Sequence, residues 1–234
     1  MDGILLVDKP SEWTSMDVCA HLRGVLHERH IGHTGTIDPN ATGLLVVLVG
    51  KGTKAAKYLE NDTKEYEARL RLGLSTDTQD IWGTVLASNP EASRTREEIE
   101  SVLPAFRGGI MQVPPMYSAI KRRGKKLYEI ARRGGSVERE PRPITVFRLD
   151  LLDRDETGDW RLKIECSKGT YIRTLCADIG EALGCGGCMS ALRRTRCGSF
   201  TVDEAHTLDQ IRSDPEHMIL PLERIAGEIV EHEQ

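Results

Sequence analysis

Hydrophobic and polar residues alternate along three stretches of the chain. In residues 64–72, 144–152 and 160–166 apolar and polar side chains largely alternate, which is typical of strands with one buried face. Residues 3–7 and 44–49 are apolar without interruption, as in short strands that are buried on both faces. The pattern therefore predicts five strands, with a polar turn between the last two.

Two capping boxes mark the starts of predicted helices. Thr14 precedes Asp17, and Thr95 precedes Glu98, by the three residues that let each side chain accept a hydrogen bond from the other backbone N–H. Apolar residues at helical spacing predict these two helices and three more, through Ala55, Ala56 and Leu59, within 121–133, and from Leu175 to Leu183. The order of strands and helices predicts a mixed α+β domain built on a sheet.

The stretch Gly32–Gly43 leads directly into the apolar run at 44–49. It contains three glycines, one histidine (His33) and one carboxylate (Asp38). Glycine allows positive φ and close backbone approach, and Pro39 favours an extended conformation at the residue before it. We predict a rigid loop that presents Asp38, and on spacing alone a purely structural loop is an equal alternative.

Length and composition bound the protein class. The chain has 234 residues, of which 39% are apolar, enough for one sizeable core or two small ones. We find no internal repeat or linker, and expect one domain followed by a short acidic tail. No run approaches the roughly 18–20 apolar residues of a membrane span, and Met1-Asp2-Gly3 begins no secretory signal. We therefore expect a soluble cytoplasmic protein.

The net charge of −4 conceals an uneven distribution. Residues 203–234 hold nine acidic and two basic residues, so the first 202 residues carry a net +3. Nine Lys or Arg residues and three Glu residues lie between Lys121 and Arg142. A local basic face of this kind is suited to phosphate binding, and a solvated helix face is the alternative.

The cysteines and acidic residues do not form a recognisable metal motif. Six cysteines in a chain of this length and composition are expected to be reduced and mostly buried. Cys185 and Cys188 have the spacing of half a zinc site, without a second pair. Asp77 and Asp80 lack the further ligands of an EF-hand. No P-loop, Rossmann fingerprint or nucleophile elbow is present.

Three residues are the candidates for chemistry: Asp38 on the glycine-rich loop, Tyr66 near the start of a strand, and Arg173 near the start of a helix. A carboxylate beside a guanidinium stays ionised, and could act as a nucleophile or as an electrostatic stabiliser. Taken singly, Tyr66 is more often a core residue. The convergence of the three side chains is a prediction for the structure to test.

Short motifs follow one another in one order over residues 3–200. They are Asp8-Lys9-Pro10 with Trp13-Thr14-Ser15, the loop Gly32–Gly43, Lys64-Glu65-Tyr66, Thr76-Asp77-Thr78 with Asp80 and Gly83, Pro114-Pro115-Met116-Tyr117-Ser118-Ala119, Gly169-Thr170-Tyr171-Ile172-Arg173, and Leu192-Arg193-Arg194-Thr195. This ordered set resembles the TruB family of tRNA pseudouridine synthases, which modify uridine 55 in the TΨC loop. Each motif is weak alone, but the set is specific.

The resemblance implies roles for the matching residues. Asp38 is the implied catalytic aspartate, Tyr66 stacks on the target base, and Arg173 pairs with Asp38. The remaining implied contacts to substrate are His33, Lys9, Tyr171, Leu192, Thr36, Lys121 and Arg193. Tyr171 and Leu192 line the base pocket, and His33 fills the gap left by the flipped nucleotide. Base flipping is required because the target lies inside a folded RNA loop.

The resemblance also implies a pseudouridine synthase fold, which is a mixed, largely antiparallel sheet flanked by helices and loops. It implies an isomerase with no metal or organic cofactor that acts on the TΨC arm of tRNA. We expect a monomer without an obligate protein partner. Two alternatives remain. One is the catalytic subunit of an RNA-guided pseudouridylase, and the other is an RNA-binding or tRNA chaperone module.

Three departures from the family pattern matter. Glu12 replaces a glycine of the first motif, and Ile37 replaces a leucine, a volume-conserving change. Bacterial members usually continue into a C-terminal RNA-binding domain of the PUA type. We expect a catalytic domain at residues 1–205 and a short acidic tail at 206–234, with no PUA domain.

Overall fold

The computed structural model describes residues 1–59, 63–122 and 124–224. Its strands are β1 (Gly3–Lys9), β2 (Ile31–Thr34), β3 (Thr42–Val49), β4 (Lys64–Leu72), β5 (Leu74–Thr76), β6 (Val85–Ser88), β7 (Gly108–Gln112), β8 (Lys121–Arg122), β9 (Lys125–Lys126), β10 (Arg142–Arg154), β11 (Trp160–Cys166), β12 (Gly187–Cys197) and β13 (Phe200–Thr201). Its α-helices are α1 (Ser15–Val25), α2 (Ala56–Leu59), α3 (Arg96–Val102), α4 (Leu127–Ala131), α5 (Ile172–Ala182) and α6 (Leu208–Ser213). The fold is a mixed α+β fold with a largely antiparallel sheet, as predicted.

The chain divides into two compact units. The first comprises Met1–Glu67 and Leu192–Gln234, and the second comprises Ala68–Ala191. Strands β4 and β12 contribute residues to both. The predicted domain boundary at residue 205 differs from this division and stays a prediction.

Strand β3 is the centre of the first unit. It pairs antiparallel with β1, from Gly3 opposite Val49 to Lys9 opposite Gly43. It also pairs antiparallel with β2, and parallel with β12 at two positions. Alternate β3 side chains lie in two different hydrophobic clusters, one of which includes the buried residues of α1. The prediction of a strand buried on both faces is confirmed, because water is excluded from either side.

Helix α1 begins where its capping box predicts. The Thr14 side chain accepts from the Asp17 N–H, and the Asp17 carboxylate accepts from the Thr14 N–H at 2.9 Å.

The described part of the predicted tail pairs with β1. Leu220 donates its N–H to the Ile4 carbonyl at 2.8 Å, and Asp8 donates to the His206 carbonyl at 2.9 Å. These residues therefore belong to the first unit.

The second unit contains β11, β10 and β7 together with parts of β12 and β4, and the strands follow the order β12-β4-β11-β10-β7. The alternating pattern of β4 is confirmed, with apolar side chains buried along one face. The polar turn between β10 and β11 lies at the predicted position, and Asp159 in it receives two 2.9 Å hydrogen bonds from Arg71. The predicted capping box of Thr95 and Glu98 begins α3. Helices α3 and α5 bury apolar faces at the predicted spacing.

Two helix predictions are wrong in extent. Within 121–133 only α4 is helical, because Lys121–Arg122 and Lys125–Lys126 pair as a short hairpin whose turn contains Gly124 at φ +81°. Glycine adopts this left-handed conformation without the penalty that other residues meet. The helix predicted through Leu59 is a 3-10 turn at Gly50–Ala55 followed by the single turn of α2. Strand β10 starts earlier than predicted and includes Pro143.

Candidate active site

The loop between β2 and β3 carries Asp38, with a glycine in the left-handed region near each end. Gly35 has φ +69° and Gly43 has φ +98°. A Cβ atom on Gly43 would overlap the carbonyl oxygen of Arg194 and lie 2.8 Å from its backbone nitrogen. Ala41 donates its N–H to the Asp38 carbonyl at 3.1 Å, which forms a turn around Pro39. The glycines thus serve conformation and close packing, as the sequence predicted.

Lys9 supports this loop from inside the protein. Its side chain is completely buried, and Nζ donates to the carbonyl oxygens of Pro10 at 2.7 Å, Trp13 at 2.7 Å and Pro39 at 2.9 Å. Burial lowers the pKa of Lys9 to about 8, and the charge of Asp38 opposes that shift. The sequence assigned Lys9 to RNA binding. The three donors of this ammonium are used by partly buried carbonyls, which hold the loop. The RNA-binding role of Lys9 stays a prediction.

Ser15 makes a further contact to the loop. The N–H of Ile37 donates to Ser15 Oγ at 3.1 Å, and both residues are buried. Ile37 thus occupies the interior, as expected for a substitute of leucine. Asp38 itself is half-buried, between buried Ile37 and exposed Pro39. The backbone next to the carboxylate is therefore fixed by α1 on one side and by Lys9 on the other.

His33 lies near the end of β2, immediately before the loop. Its Nδ1 atom is buried and has no hydrogen-bond partner in the described structure. Burial lowers the pKa of His33, and the positive charge of Arg194 lowers it further. The ring is therefore neutral at neutral pH, with one buried nitrogen left to bond. Thr36, three residues along the chain, is exposed.

Tyr66 on β4 and Leu192 on β12 are buried in the first unit, each 8% exposed. Arg193 follows Leu192 and forms a bidentate ion pair with Asp8, at 3.0 and 2.8 Å. Its side chain keeps 40% exposure. Asp8 neutralises part of the charge that Arg193 would offer to a phosphate, while the exposed remainder stays accessible.

Arg173 lies in the first turn of α5, in the second unit, and is 5% exposed. Its guanidinium donates to the carbonyl oxygens of Thr78 and Tyr117, both at 2.9 Å, and lies 3.8 Å from Asp80 Oδ2. A cation at a helix N-terminus is unfavourable by charge alone. These acceptors compensate for that position and fix the orientation of the fork.

Asp80 is held by a tightly hydrogen-bonded turn. Thr78 Oγ1 donates to Asp80 Oδ1 at 2.7 Å, and the Trp82 N–H donates to the same oxygen at 3.1 Å. The Thr76 hydroxyl donates to the Asp80 carbonyl at 2.6 Å. A Cβ on Gly83 would overlap Thr78 Oγ1, so the turn closes only with glycine there. The sequence placed Asp80 in a motif but assigned it no role.

Tyr171 is placed by its backbone. Gln112 accepts from the Tyr171 N–H at 2.8 Å and donates to the Tyr171 carbonyl at 3.0 Å. Both bonds come from one buried amide, so they fix the residue before α5. Lys121 is exposed on the β8–β9 hairpin, together with Lys125. This places the predicted contact Lys121, and Lys125 of the same basic stretch, at the protein surface.

The predicted catalytic residues lie in different units. Asp38 and Tyr66 belong to the first, and Arg173 belongs to the second. The contacts around each residue are described within its own unit, and the convergence of the three side chains stays a prediction. Sequence reasoning missed Ser15, Arg194, Asp80, Gln112 and Tyr117 as supporting residues. All except Gln112 lie in motifs that the sequence shows, but no local signal distinguished an inward from an outward side chain.

Within the described ranges, no group of three His, Cys, Asp or Glu residues is arranged to hold a metal ion. No described helix is both long and apolar enough to cross a membrane. All six cysteines are free thiols, and five are buried, as the composition predicted. Cys185 and Cys188 therefore have no metal-binding partners among the described residues.

Comparisons with known proteins agree on one family. The family model described as "TruB family pseudouridylate synthase (N terminal domain)" matches residues 23–172, and that described as "tRNA pseudouridylate synthase B C-terminal domain" matches residues 173–226. A tRNA pseudouridine synthase B of Syntrophomonas wolfei is 47% identical over 230 residues, covering 95% of this chain and 77% of that protein. Another, of Opitutus terrae, is 46% identical and covers 98% of this chain and 97% of that protein.

A solved structure is also similar. A chain of a Cbf5-Nop10-Gar1 complex matches with a TM-score of 0.74 and 30% identity, covering 98% of this chain. The match spans 62% of that chain's length, so this chain corresponds to less than two thirds of the solved one. A chain of an H/ACA RNP bound to a substrate RNA matches with a TM-score of 0.68 and 28% identity, covering 94% of this chain and 56% of the other.

Proposed function

Because the chain belongs to the TruB family of pseudouridine synthases, we propose that it isomerises uridine 55 in the TΨC loop of tRNA to pseudouridine. The observation that carries the proposal is the Asp38 loop. Two positive glycine φ angles, Ser15 and the buried ammonium of Lys9 fix the backbone of a half-buried carboxylate. Catalysis by positioning requires such rigidity.

The reaction conserves every atom of the nucleoside except an exchangeable proton. The bond from C1′ to N1 breaks, the base rotates, and a bond forms from C1′ to C5. The proton on C5 passes to solvent, and N1 gains a proton. No oxidant, reductant or group carrier is needed, so the proposal includes no cofactor. Asp38 supplies the carboxylate whether it attacks C1′, attacks the ring or promotes a glycal route.

Arg173 is the proposed partner of Asp38, holding it ionised. Support comes from the second unit, where two backbone carbonyls and Asp80 orient the guanidinium. Tyr66 is the proposed stacking platform for the flipped base, and buried Leu192 and the fixed Tyr171 are the proposed pocket walls. Stacking on an aromatic ring is the usual way to hold an unstacked base.

The proposed RNA contacts use groups at the surface. Lys121 and Arg193 would bind phosphates, and exposed Thr36 and half-buried His33 would contact the loop nucleotides. A neutral His33 ring can lie against RNA without the cost of burying a charge. We keep the proposed division into a catalytic domain at 1–205 and an acidic segment at 206–234.

We propose stand-alone action on tRNA in the cytoplasm, by a monomer that needs no guide RNA or protein partner. The relatives named tRNA pseudouridine synthase B are 46–49% identical, whereas the Cbf5 chain is 30% identical. The higher identity favours the tRNA enzyme over a guided pseudouridylase. An RNA-binding or chaperone role is the alternative that Asp38 itself tests.

The test uses a tRNA transcript labelled with tritium at C5 of uridine, incubated with the purified protein alone. Wild-type protein should release tritium without guide RNA. Asp38→Asn should lose activity by on the order of 10³-fold or more, since the group acts directly on the reacting atoms. Its affinity for tRNA should stay within about threefold of wild type, as the change removes one oxygen charge.

Asp209→Asn is the matched control, because Asp209 is exposed on α6 and has no proposed contact with RNA. It should retain wild-type activity. Near-normal tritium release by Asp38→Asn would refute the catalytic role, and product only in the presence of a guide RNA would favour the guided alternative.

A further inference from the structure

We propose that Arg194 is a positioning residue for Asp38, because it joins both ends of the loop that carries the carboxylate. The proposal rests on the proposed function, since it assigns Arg194 an effect on that reaction. Arg194 lies on β12, beside the proposed pocket residue Leu192 and next to Arg193, which faces Asp8.

The contacts of Arg194 lie on opposite sides of Asp38 in the chain. Nε donates to the Leu44 carbonyl at 2.7 Å, and Nη1 and Nη2 donate to the Gly35 carbonyl at 3.1 and 3.0 Å. Gly35 is the first residue after β2, and Leu44 is the third residue of β3. One planar group thus sets the separation between the start and the end of the loop.

The burial of Arg194 indicates that packing is not its purpose. The side chain of Arg194 is 1% exposed, and by volume it is the largest of the fully buried side chains in the described residues. Within those residues it forms no ion pair. A buried cation is costly unless it is well bonded, and an apolar residue of similar volume is usually tolerated better. The three N–H bonds to carbonyl oxygens compensate for that cost only in this loop conformation.

The positive charge of Arg194 affects the pKa values of two neighbouring groups. Arg194 lowers the pKa of His33 on one side of the loop, and lowers that of Lys9 beneath it, in both cases after the larger effect of burial. The charge of Asp38 acts on Lys9 in the opposite direction. Lys9 holds the Pro39 carbonyl between the two points that Arg194 holds. Two cations and one carboxylate therefore occupy the same small volume around the loop.

Arginine is specifically suited to this arrangement. Its rigid fork presents Nε and both Nη groups in one plane, so it can bond two carbonyls that point from different chain segments. A lysine ammonium keeps the charge but has a single nitrogen. It can reach one of the two carbonyls at a time, and the loop would be free to shift at its other end.

The test measures kcat and KM for pseudouridine formation on tRNA with wild type, Arg194→Lys and Arg194→Met. Arg194→Met should lower kcat by about 10²-fold, the effect of a misplacement on the order of 1 Å. KM should change by less than about threefold, because the residue does not contact RNA. Arg194→Lys should recover part of kcat, to within about tenfold of wild type, by bonding one carbonyl.

Arg71→Met is the matched control. Arg71 also makes a bidentate contact, to Asp159, but lies in the second unit and has no proposed role in the reaction. A purely structural loss should leave kcat of its folded fraction within about twofold of wild type. Thermal unfolding of each variant fixes a temperature at which all are folded.

A second readout separates charge from geometry. NMR titration of His33 should give a higher pKa in Arg194→Met than in wild type, and Arg194→Lys should retain the lowered value. If Arg194→Met does not fold, Arg194→Lys decides alone: a kcat equal to wild type would overturn the proposal. An equal drop in kcat for Arg71→Met, or a change confined to KM, would also overturn it. Absence of product from wild type would instead refute the proposed function.

Discussion

Lys9 and His33 differ in how they meet the cost of burial. Lys9 stays bonded through three carbonyl oxygens, while His33 is kept neutral by burial and by the nearby guanidinium of Arg194. A lowered pKa means that the folded protein binds the His33 proton less tightly than the unfolded chain does. Protonation of this ring therefore opposes folding.

The pH dependence of stability follows from His33. Its contribution is fully present above the unfolded pKa of about 6.5, and is lost as the pH falls through the lower folded pKa. Wild type should therefore lose free energy of unfolding relative to His33→Gln between pH 7.5 and pH 5, by about 1.4 kcal/mol for each unit by which the pKa is lowered.

Urea unfolding of both proteins at a series of pH values measures this difference, and common titrations cancel in the comparison. His30→Gln is the control, because His30 lies on the surface. The difference in free energy of unfolding between wild type and His30→Gln should change less on acidification than the difference between wild type and His33→Gln. Parallel curves for wild type and His33→Gln would mean that the ring is not held neutral by its surroundings.

Strand β3 determines where the loop begins and ends. Its two faces are buried, so a shift of register by one residue would exchange two sets of core side chains. At Gly43 the strand also approaches β12 so closely that a Cβ would overlap the Arg194 backbone. The loop is therefore fixed at an element junction that tolerates no side chain.

Gly43→Ala should be destabilising for two reasons: φ is +98°, and the added methyl group meets backbone atoms. A residue other than glycine in the left-handed region costs about 1–2 kcal/mol, and the overlap adds to this. We expect a loss of at least about 2 kcal/mol in the free energy of unfolding, measured in urea.

Gly32→Ala is the matched control within the same motif. Gly32 has an ordinary φ, and its nearest contact would be a Thr53 methyl carbon at 4.0 Å. Its substitution should change stability by less than about 1 kcal/mol. Similar losses for both variants would place the cost in the flexibility of the motif and not in the junction of β3 with β12.

The whole chain combines a net charge of −4 with local basic surface. The β8–β9 hairpin exposes Lys121 and Lys125, whereas α6 and its surroundings are acidic. Phosphate binding depends on local charge, so the total does not oppose an RNA partner. The hairpin offers these lysines at one end of a two-stranded turn, not along a helix as the sequence predicted.

The double substitution of Lys121 and Lys125 by Gln should weaken tRNA binding and make it less sensitive to salt. Each lost phosphate contact lowers the slope of log K against log salt by about 0.7–0.9. Two contacts would therefore lower it by roughly 1.5. Filter binding over a potassium chloride series measures both quantities, and Arg212→Gln on α6 should leave the slope unchanged.

The sequence by itself determined five of the strands, two capped helices and the glycine loop, because these follow from nearest-neighbour patterns and backbone preferences. It also carried the ordered motifs that identify the family. It did not predict strand β12, which carries Leu192 and Arg194. Only the tertiary structure decided that Lys9 and Arg194 point inward. Arg194 bonds to residues 150 and 159 positions away, and no local pattern encodes which basic side chain meets such partners. A charged residue in a sequence is expected at the surface, in contact with water. Only the folded chain shows which charged side chains are buried and bonded to carbonyl oxygens instead.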